Sequence, residues 1–539
     1  VLAALNWVTL HFEGHLLATS WFTFLLVAAF ALVATALPST DGGSPSPRAR
    51  DVRLTLAGLA LGLAAVTRPN ALVVLPFVAA LLLLPGTAPA VGPGRRARGV
   101  ALLLAGTAVL VLPVLAANHR SEGEWMIQRN LAFNLYLGNH ADSPGYPGIR
   151  PGRDWDELVT SPVREGVTSI AGHEAWFRSR VLTFAREDPA AFARLQVRKL
   201  LIFLNHREAR TTLSPYFFER FVPFQASPVL VGFGLLGPLA LVGLARTARR
   251  GSGASLAAAF LVPSSALVVL TVVGARYRAP LLPFFGIFAA CALVGLARAA
   301  RRRAGRELLG TAALLVPAVA LVHLRFAELE NPAYGEELAR VATVYQEAGD
   351  LEEADRWWAE SLREDPARVE SWVNRASYAQ ARGDFAALEE AALAGLRASP
   401  GDWLLSMFLG RARLELGRPE ESLEALRPVL EVRPGNPDLL AALARAHDAA
   451  GRPDSARVWF QRALERMEGR WEIGRDAAAL LLREAAARPA GEARTELLSK
   501  ARIALEAAWA AAPGHPELRS LAAQYDRLAP SRDASGSDG

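Results

Sequence analysis

The first 325 residues read as apolar runs broken by short polar punctuation. The last 200 read as helix with an apolar face and a charged one. Runs long enough to matter lie at 16–37, 51–85, 100–117, 226–245, 255–275, 279–297 and 307–325. One membrane crossing needs about 20 apolar residues. Six of the seven runs suit one crossing each, and 51–85 is too long. It also carries Arg68, Pro69 and Asn70 at its centre, within "GLALGLAAVTRPNALVVLP". A single tilted helix would leave the Arg68 guanidinium in hydrocarbon at a cost of about 3 kcal/mol. A hairpin of 51–67 and 69–85, turning at Thr67–Asn70, removes that cost. It also gives Pro69 the first turn of the returning helix, where proline is tolerated.

Arginine placement favours the hairpin as well. Clusters fall at 48–53, 95–98, 246–250 and 298–306. The hairpin puts all four on one side, the cytoplasmic side by the positive-inside rule. The Thr67–Asn70 turn, the loop 118–199 and "GARYRAPLLP" (274–283) then face outward. The chain after the last run also emerges outward, placing the C-terminal half on the extracytoplasmic side.

That half repeats. Gly349, Gly383, Gly417 and Gly451 stand 34 residues apart, as do Pro366, Pro400 and Pro434, and Leu362, Leu396, Leu430 and Leu464 share the spacing. Ala354 and Ala456 take a small-residue slot five after the glycine. The pattern resembles the tetratricopeptide repeat, a helix-turn-helix unit of 34 residues. "AAPGHPEL" (511–518) echoes "VRPGNPDL" (432–439), so a further, lengthened unit is expected. The expected fold is all-α: a polytopic membrane bundle over 1–328, a tetratricopeptide-repeat solenoid over 333–528, and a disordered tail, 529–539.

Charge divides the same way. Residues 333–539 hold 27 basic and 35 acidic side chains, so with +6 for the whole chain, 1–332 carry +14. The arginines punctuate apolar spans and do not form a soluble basic face, which excludes nucleic acid as a partner. Lys199 and Lys500 are the only lysines, a bias that fits a GC-rich bacterial genome. The single cysteine, Cys291, allows no intrachain disulfide.

Four stretches, "GLALGLAAVTRPNALVVLP", "NLAFNLYLGNHADSPGYPG" (130–148), "DPAAFARLQVRKLLIFLNHRE" (188–208) and "GARYRAPLLPFF" (274–285), resemble the polyprenyl-phosphate-dependent membrane glycosyltransferases. That is the clan of protein mannosyltransferases and aminoarabinose transferases, with family 39-like bacterial members fused to tetratricopeptide repeats. The resemblance covers 1–325. It implies an enzyme of the bacterial inner membrane that transfers a sugar from a polyprenyl-phosphate donor to a protein, lipid or glycan acceptor at the outer face.

A departing lipid phosphate needs cations in a low-dielectric site. Arg68, Lys199, Arg276 and Arg278 are the expected phosphate ligands, with Tyr277, Glu208 and Asn70 in support. Each cation could instead snorkel to lipid headgroups. The acidic catalytic residue the resemblance implies sits in the first outer loop and would lie before Val1, because "VLAALNWVTLHF" reads as the tail of an earlier membrane helix. Glu13 is a further interfacial carboxylate.

Asp154 and Asp156 form a D-x-D pair of the kind that can hold a divalent metal, but the start of a loop helix is the reading adopted. His206 and His140 stand apart from other ligand types, so no zinc site is expected. Trp176, Phe177 and Phe184 are read as burying against the loop's own helices, and Trp357, Trp358 and Phe460 as repeat core. A catalytically inactive membrane-anchored repeat scaffold is the alternative to the enzyme. An oligosaccharide ligase of related architecture is a third reading.

Overall fold

The computed structural model describes residues 6–8, 11, 18–38, 45–87, 91–148, 153–211, 214–221, 230–247, 252–330 and 333–529. The chain divides into two units, Val1–Pro332 and Ala333–Gly539. Both are built of helices. Among the described residues the only β pairing is an isolated bridge between Asn6 and Val231.

In the first unit, α1 (Ala18–Ala36) precedes α2 (Pro47–Thr67), a 3₁₀ turn (Pro69–Val74) and α3 (Leu75–Leu83). Then come α4 (Pro93–Glu122) and four loop helices: α5 (Leu131–Leu137), α6 (Arg153–Arg164), α7 (Ile170–Glu187) and α8 (Pro189–Phe203). The chain continues with α9 (Phe233–Thr247), α10 (Ser252–Leu270), short α11 (Ala275–Arg278), α12 (Leu282–Arg301) and α13 (Gly305–Val322). Five stretches, Ala18–Ala36, Pro93–Glu122, Gly253–Leu270, Ala275–Arg301 and Gly305–Val322, are long and apolar enough to cross a membrane. This unit is membrane-associated.

The segment after Arg68 doubles back. Arg50 Nη1 donates to Arg95 O at 2.9 Å, Arg98 Nε meets Asp51 at 2.9 Å, Thr107 Oγ1 reaches Gly58 O at 3.1 Å, and Gln128 Nε2 reaches Thr67 O at 3.0 Å. Helices α2 and α4 therefore run side by side in the same direction, and the chain between them must return to its starting end. Arg68, just before Pro69, is extended (φ −148°, ψ 115°) and breaks the helix there.

Glycines let α2 and α4 touch backbone to backbone. A Cβ on Gly58 would lie 2.2 Å from Leu103 O, and one on Gly106 would lie 2.5 Å from Thr55 O. Gly58→Val is expected to cost about 1–3 kcal/mol through overpacking. The measurement is thermal unfolding in detergent, with Gly310→Ala, which meets nothing within 4 Å, as an unchanged control.

Contacts place the arginine clusters at one end of the unit. Arg50 bonds Arg95 O and Arg98 pairs with Asp51 near the starts of α2 and α4, while Arg246, at the end of α9, bonds Thr311 in the first half of α13. The opposite end, called the loop end below, collects Thr67–Asn70, the loop helices, the α10–α11 junction and the close of α13. Loop helices α5–α7 have a core of their own. Ala132, Leu137, Leu158 and Phe177 are buried there, with Phe133, Tyr136, Trp155 and Trp176 packed around them. Phe184 stacks edge-on with Phe192 of α8.

The second unit is a solenoid of tetratricopeptide repeats. Four helix pairs run Gly335–Glu347 with Leu351–Glu364, Val369–Ala381 with Phe385–Ala398, Trp403–Glu415 with Pro419–Val432, and Pro437–Ala449 with Pro453–Leu464. Each turn glycine has positive φ: 83° at Gly349, 69° at Gly383, 75° at Gly417 and 71° at Gly451. Such angles favour glycine. Trp358 and Phe460 are buried, and Trp357 is partly buried beside Trp358.

Ion pairs cross between helix pairs, as with Arg375 and Asp355 at 2.8 Å and Arg483 and Asp448 at 2.6 Å. A fifth pair, Trp471–Ala486 and Glu492–Ala511, is longer than the others. A lone helix, Pro516–Leu528, then covers it, burying Leu518 and resting Leu521 and Tyr525 on the last core.

Candidate functional site

A cavity of about 370 Å³ opens at the loop end. Its apolar wall is Leu72, Val111, Leu115, Val268 and Val272, and its polar rim is Asn70, Gln128, Asn130, Asn134 and Tyr277. The two hydrophobic helices α4 and α10 supply most of the first. The Pro69 turn, the stretch after α4, helix α5 and short α11 supply the second.

Arg68 and Arg276 are not among the residues that line this cavity, but each is the chain neighbour of one that does, Pro69 and Tyr277. Arg68 Nη2 donates to Thr19 Oγ1 at 2.6 Å, and its guanidinium lies 5.5 Å from the centre of the Phe22 ring. Burial pushes its pKa down to about 10, and the nearby positive charge of Arg276 adds to the depression. Arg276 has a buried Nε with no hydrogen-bond partner. Among the described residues no carboxylate pairs with either arginine. The α10–α11 junction holds Arg276 and Tyr277 in place. Ala275 N donates to Ala209 O at 2.7 Å, and a Cβ on Gly274 would lie 2.4 Å from Thr211 Cγ2.

Two neighbouring cations without a carboxylate counter-ion among the described residues can hold an oxyanion.

Lys199 and Arg278, also expected as phosphate ligands, are enclosed elsewhere, and this corrects the sequence reading. Arg278 is buried. Its Nη1 donates to Phe203 O at 2.6 Å and Asn205 O at 2.7 Å, its Nη2 pairs with Glu208, and its guanidinium lies 3.9 Å over the Phe233 ring. The group is thereby committed to partners inside the protein. Glu208 is thus Arg278's internal counter-ion. It does not support the Arg68 site.

Lys199 is fully buried. Its Nζ donates to Asn139 Oδ1 at 2.9 Å, Leu270 O at 3.2 Å and Thr271 O at 2.9 Å. Asn139 Nδ2 serves the same two carbonyls at 2.9 and 3.1 Å. Gly138 completes the clasp, since a Cβ there would lie 1.9 Å from Thr271 O. The clasp fastens the loop to the end of α10 and the residues just after it, where Val268, Thr271 and Val272 line the cavity. Lys199 therefore shapes the site from behind.

Burial lowers the Lys199 ammonium from 10.5 to about 7. Between those values an unfolded chain holds a proton that the folded one has released, so stability rises with pH across that window. Lys199→Met is expected to remove up to about 1.4 kcal/mol per pH unit from the slope of unfolding free energy between pH 7 and 10. Thermal unfolding across that range measures it.

Glu13 and the side chain of Asp154 lie outside the described residues. Among the described residues no three metal-type ligands come together. One pairing was missed in the sequence: the His206 and His323 rings stack at 4.7 Å. The 116 residues between them left no local signal for it.

The tetratricopeptide-repeat family model matches residues 413–481. Several solved repeat proteins are similar to part of this chain. One is YrrB, described as a TPR protein with an unusual peptide-binding site, at 18% identity and TM-score 0.29, covering 36% of this chain and 96% of that one. A thermophilic TPR protein of Thermus thermophilus aligns at 19% identity and TM-score 0.29, covering 36% and 98%. MamA of Desulfovibrio magneticus RS-1 aligns at 15% identity and TM-score 0.29, covering 32% and 94%. No curated protein matches the chain.

Proposed function

We propose that this chain belongs to an integral-membrane glycosyltransferase that takes its sugar from a polyprenyl-phosphate donor at the extracytoplasmic face. The observation that carries the proposal is the pair Arg68 and Arg276. They are two neighbouring guanidinium groups without a carboxylate partner among the described residues, and their chain neighbours Pro69 and Tyr277 line a cavity that is apolar on one wall and amide-rimmed on the other. As the glycosidic bond breaks, negative charge grows on the departing lipid phosphate. Fixed cations in a water-poor site stabilise that charge. Tyr277 and Asn70 line the rim of that cavity, and in this reading they orient the donor. Neither arginine acts as the base on the acceptor hydroxyl, since a guanidinium stays protonated.

Sidedness follows from the arginine clusters, which hold the opposite end in the cytoplasm of a bacterial inner membrane. The repeats, by themselves an extended helical surface, would serve in this reading to bind a protein or glycan acceptor.

Transfer of labelled sugar from a polyprenyl-phosphate donor by the purified full-length protein tests the reading. Transfer that disappears with Arg68→Gln supports it. A well-folded full-length protein that transfers nothing from any such donor would leave the membrane-anchored scaffold as the function.

A further inference from the structure

A second cavity, of about 480 Å³, opens at the loop end of the same unit, lined in part by Trp7, His206, Arg207, Tyr216, Gly234 and His323. None of these residues belongs to the Arg68 site. Three features of its chemistry point to one class of ligand.

The first is the histidine pair. The two rings are nearly parallel, at 20°. His206 Nδ1 meets Val322 O at 3.3 Å, and His323 Nδ1 meets Val319 O at 3.0 Å. A carbonyl only accepts, so the bonding assigns the hydrogen to Nδ1 in both rings. Each Nε2 is left for a ligand, as acceptor when neutral and as donor when protonated. Gly234, in the first turn of α9, gives one of them room, because a Cβ there would lie 3.0 Å from His323 Nε2.

Arg207 is the second feature. Its guanidinium lies 5.1 Å from the centre of the Tyr216 ring, its Nε is buried without a partner, and no carboxylate among the described residues pairs with it. Third, the cavity is positive on balance. His206 feels Arg207 and His323 as well as Glu330, and Glu330 is itself 3.7 Å from Arg325.

We propose that the His206–Arg207–His323 cavity is a second anion site, built for a phosphate ester. The guanidinium donates to phosphate oxygens, while each imidazole Nε2 donates once the bound anion stabilises the protonated ring and otherwise accepts from a hydroxyl of the ester, so contacts come from more than one direction. Arg207 makes the site hostile to a metal cation, and the aromatic wall of Trp7 and Tyr216, 5.6 Å apart, suits the organic part of an ester. A phospholipid headgroup and a soluble sugar phosphate share this chemistry.

Equilibrium dialysis of the purified full chain against radiolabelled glucose 1-phosphate tests the proposal, first in detergent and then in phosphatidylcholine nanodiscs with and without phosphatidic acid. Arg207→Gln is expected to weaken binding about tenfold or more, and His323→Gln by a smaller factor. Arg68→Gln with Arg276→Gln should leave this binding in place. Displacement by phosphatidic acid identifies a lipid headgroup as the natural occupant, and retention in its presence identifies a soluble ester.

Equal affinity in wild type, Arg207→Gln and His323→Gln overturns the proposal. So does binding lost only with Arg68 and Arg276, which assigns the phosphate to the first site. If Arg207→Gln does not fold, the His323→Gln result decides, since that side chain is exposed.

Discussion

Arg68→Gln combined with Arg276→Gln is expected to lower sugar transfer by at least about a hundredfold, with the protein still folded. Each charge-assisted contact to a developing oxyanion is worth about 1.5–3 kcal/mol, so removing both exceeds the roughly 2.7 kcal/mol that a hundredfold represents. The loss should fall mainly on kcat if the cations act as the leaving phosphate gains charge, and on KM if they only hold the donor.

Folding should survive, because neither guanidinium is an internal counter-ion. Arg68 holds one threonine hydroxyl, and Arg276 holds no hydrogen-bond partner among the described residues. Relieving the mutual repulsion of two adjacent cations should even raise the melting temperature slightly. Unchanged transfer in the double variant would rule out the phosphate contact.

Arg278→Gln should behave in the opposite way, costing about 3–5 kcal/mol of stability and leaving little folded protein to assay. It strips Glu208, buried at 3% exposure, of its counter-ion, and leaves Phe203 O and Asn205 O short of donors. Burial already raises the pKa of Glu208, and without Arg278 the carboxyl would take up a proton to escape the charge.

Replacing both partners, Arg278→Met with Glu208→Leu, should restore part of that stability, since no lone buried charge remains. Thermal unfolding of the two single variants and the double variant forms the cycle. A double variant no more stable than Arg278→Gln would show that the carbonyl contacts, not the ion pair, set the cost.

What could be read from the sequence was whatever the chain writes locally. The Arg68 turn was legible because a charge and a proline fell inside one apolar run, and the repeats because glycine and proline recur at fixed spacing. The arginine clusters gathered at one end for the same reason: each marks the close of its own span.

Side-chain partnerships were not legible. Arg278 and Arg276 look equivalent in "GARYRAPLLP", two positions apart on a short helix. One turns inward to Glu208, 70 residues earlier in the chain, and the other turns toward Arg68. The direction each takes depends on how α8 and α11 cross, which hydropathy does not encode. Lys199 was misplaced for the same reason, since its acceptors at 270 and 271 come from another span.

The lone helix Pro516–Leu528 has a consequence for how the solenoid meets its own kind. It lays Leu521 and Tyr525 over the fifth pair, bonds it through Glu517 to Arg475 at 2.7 Å, and leaves Arg519, Asp526 and Arg527 exposed. A stacked array without such an end-stop keeps a greasy seam ready for the next unit, and two copies could zip together there into filaments. Here Leu521 and Tyr525 cover that seam on the fifth pair, so this face offers no bare core for a second copy to stack on.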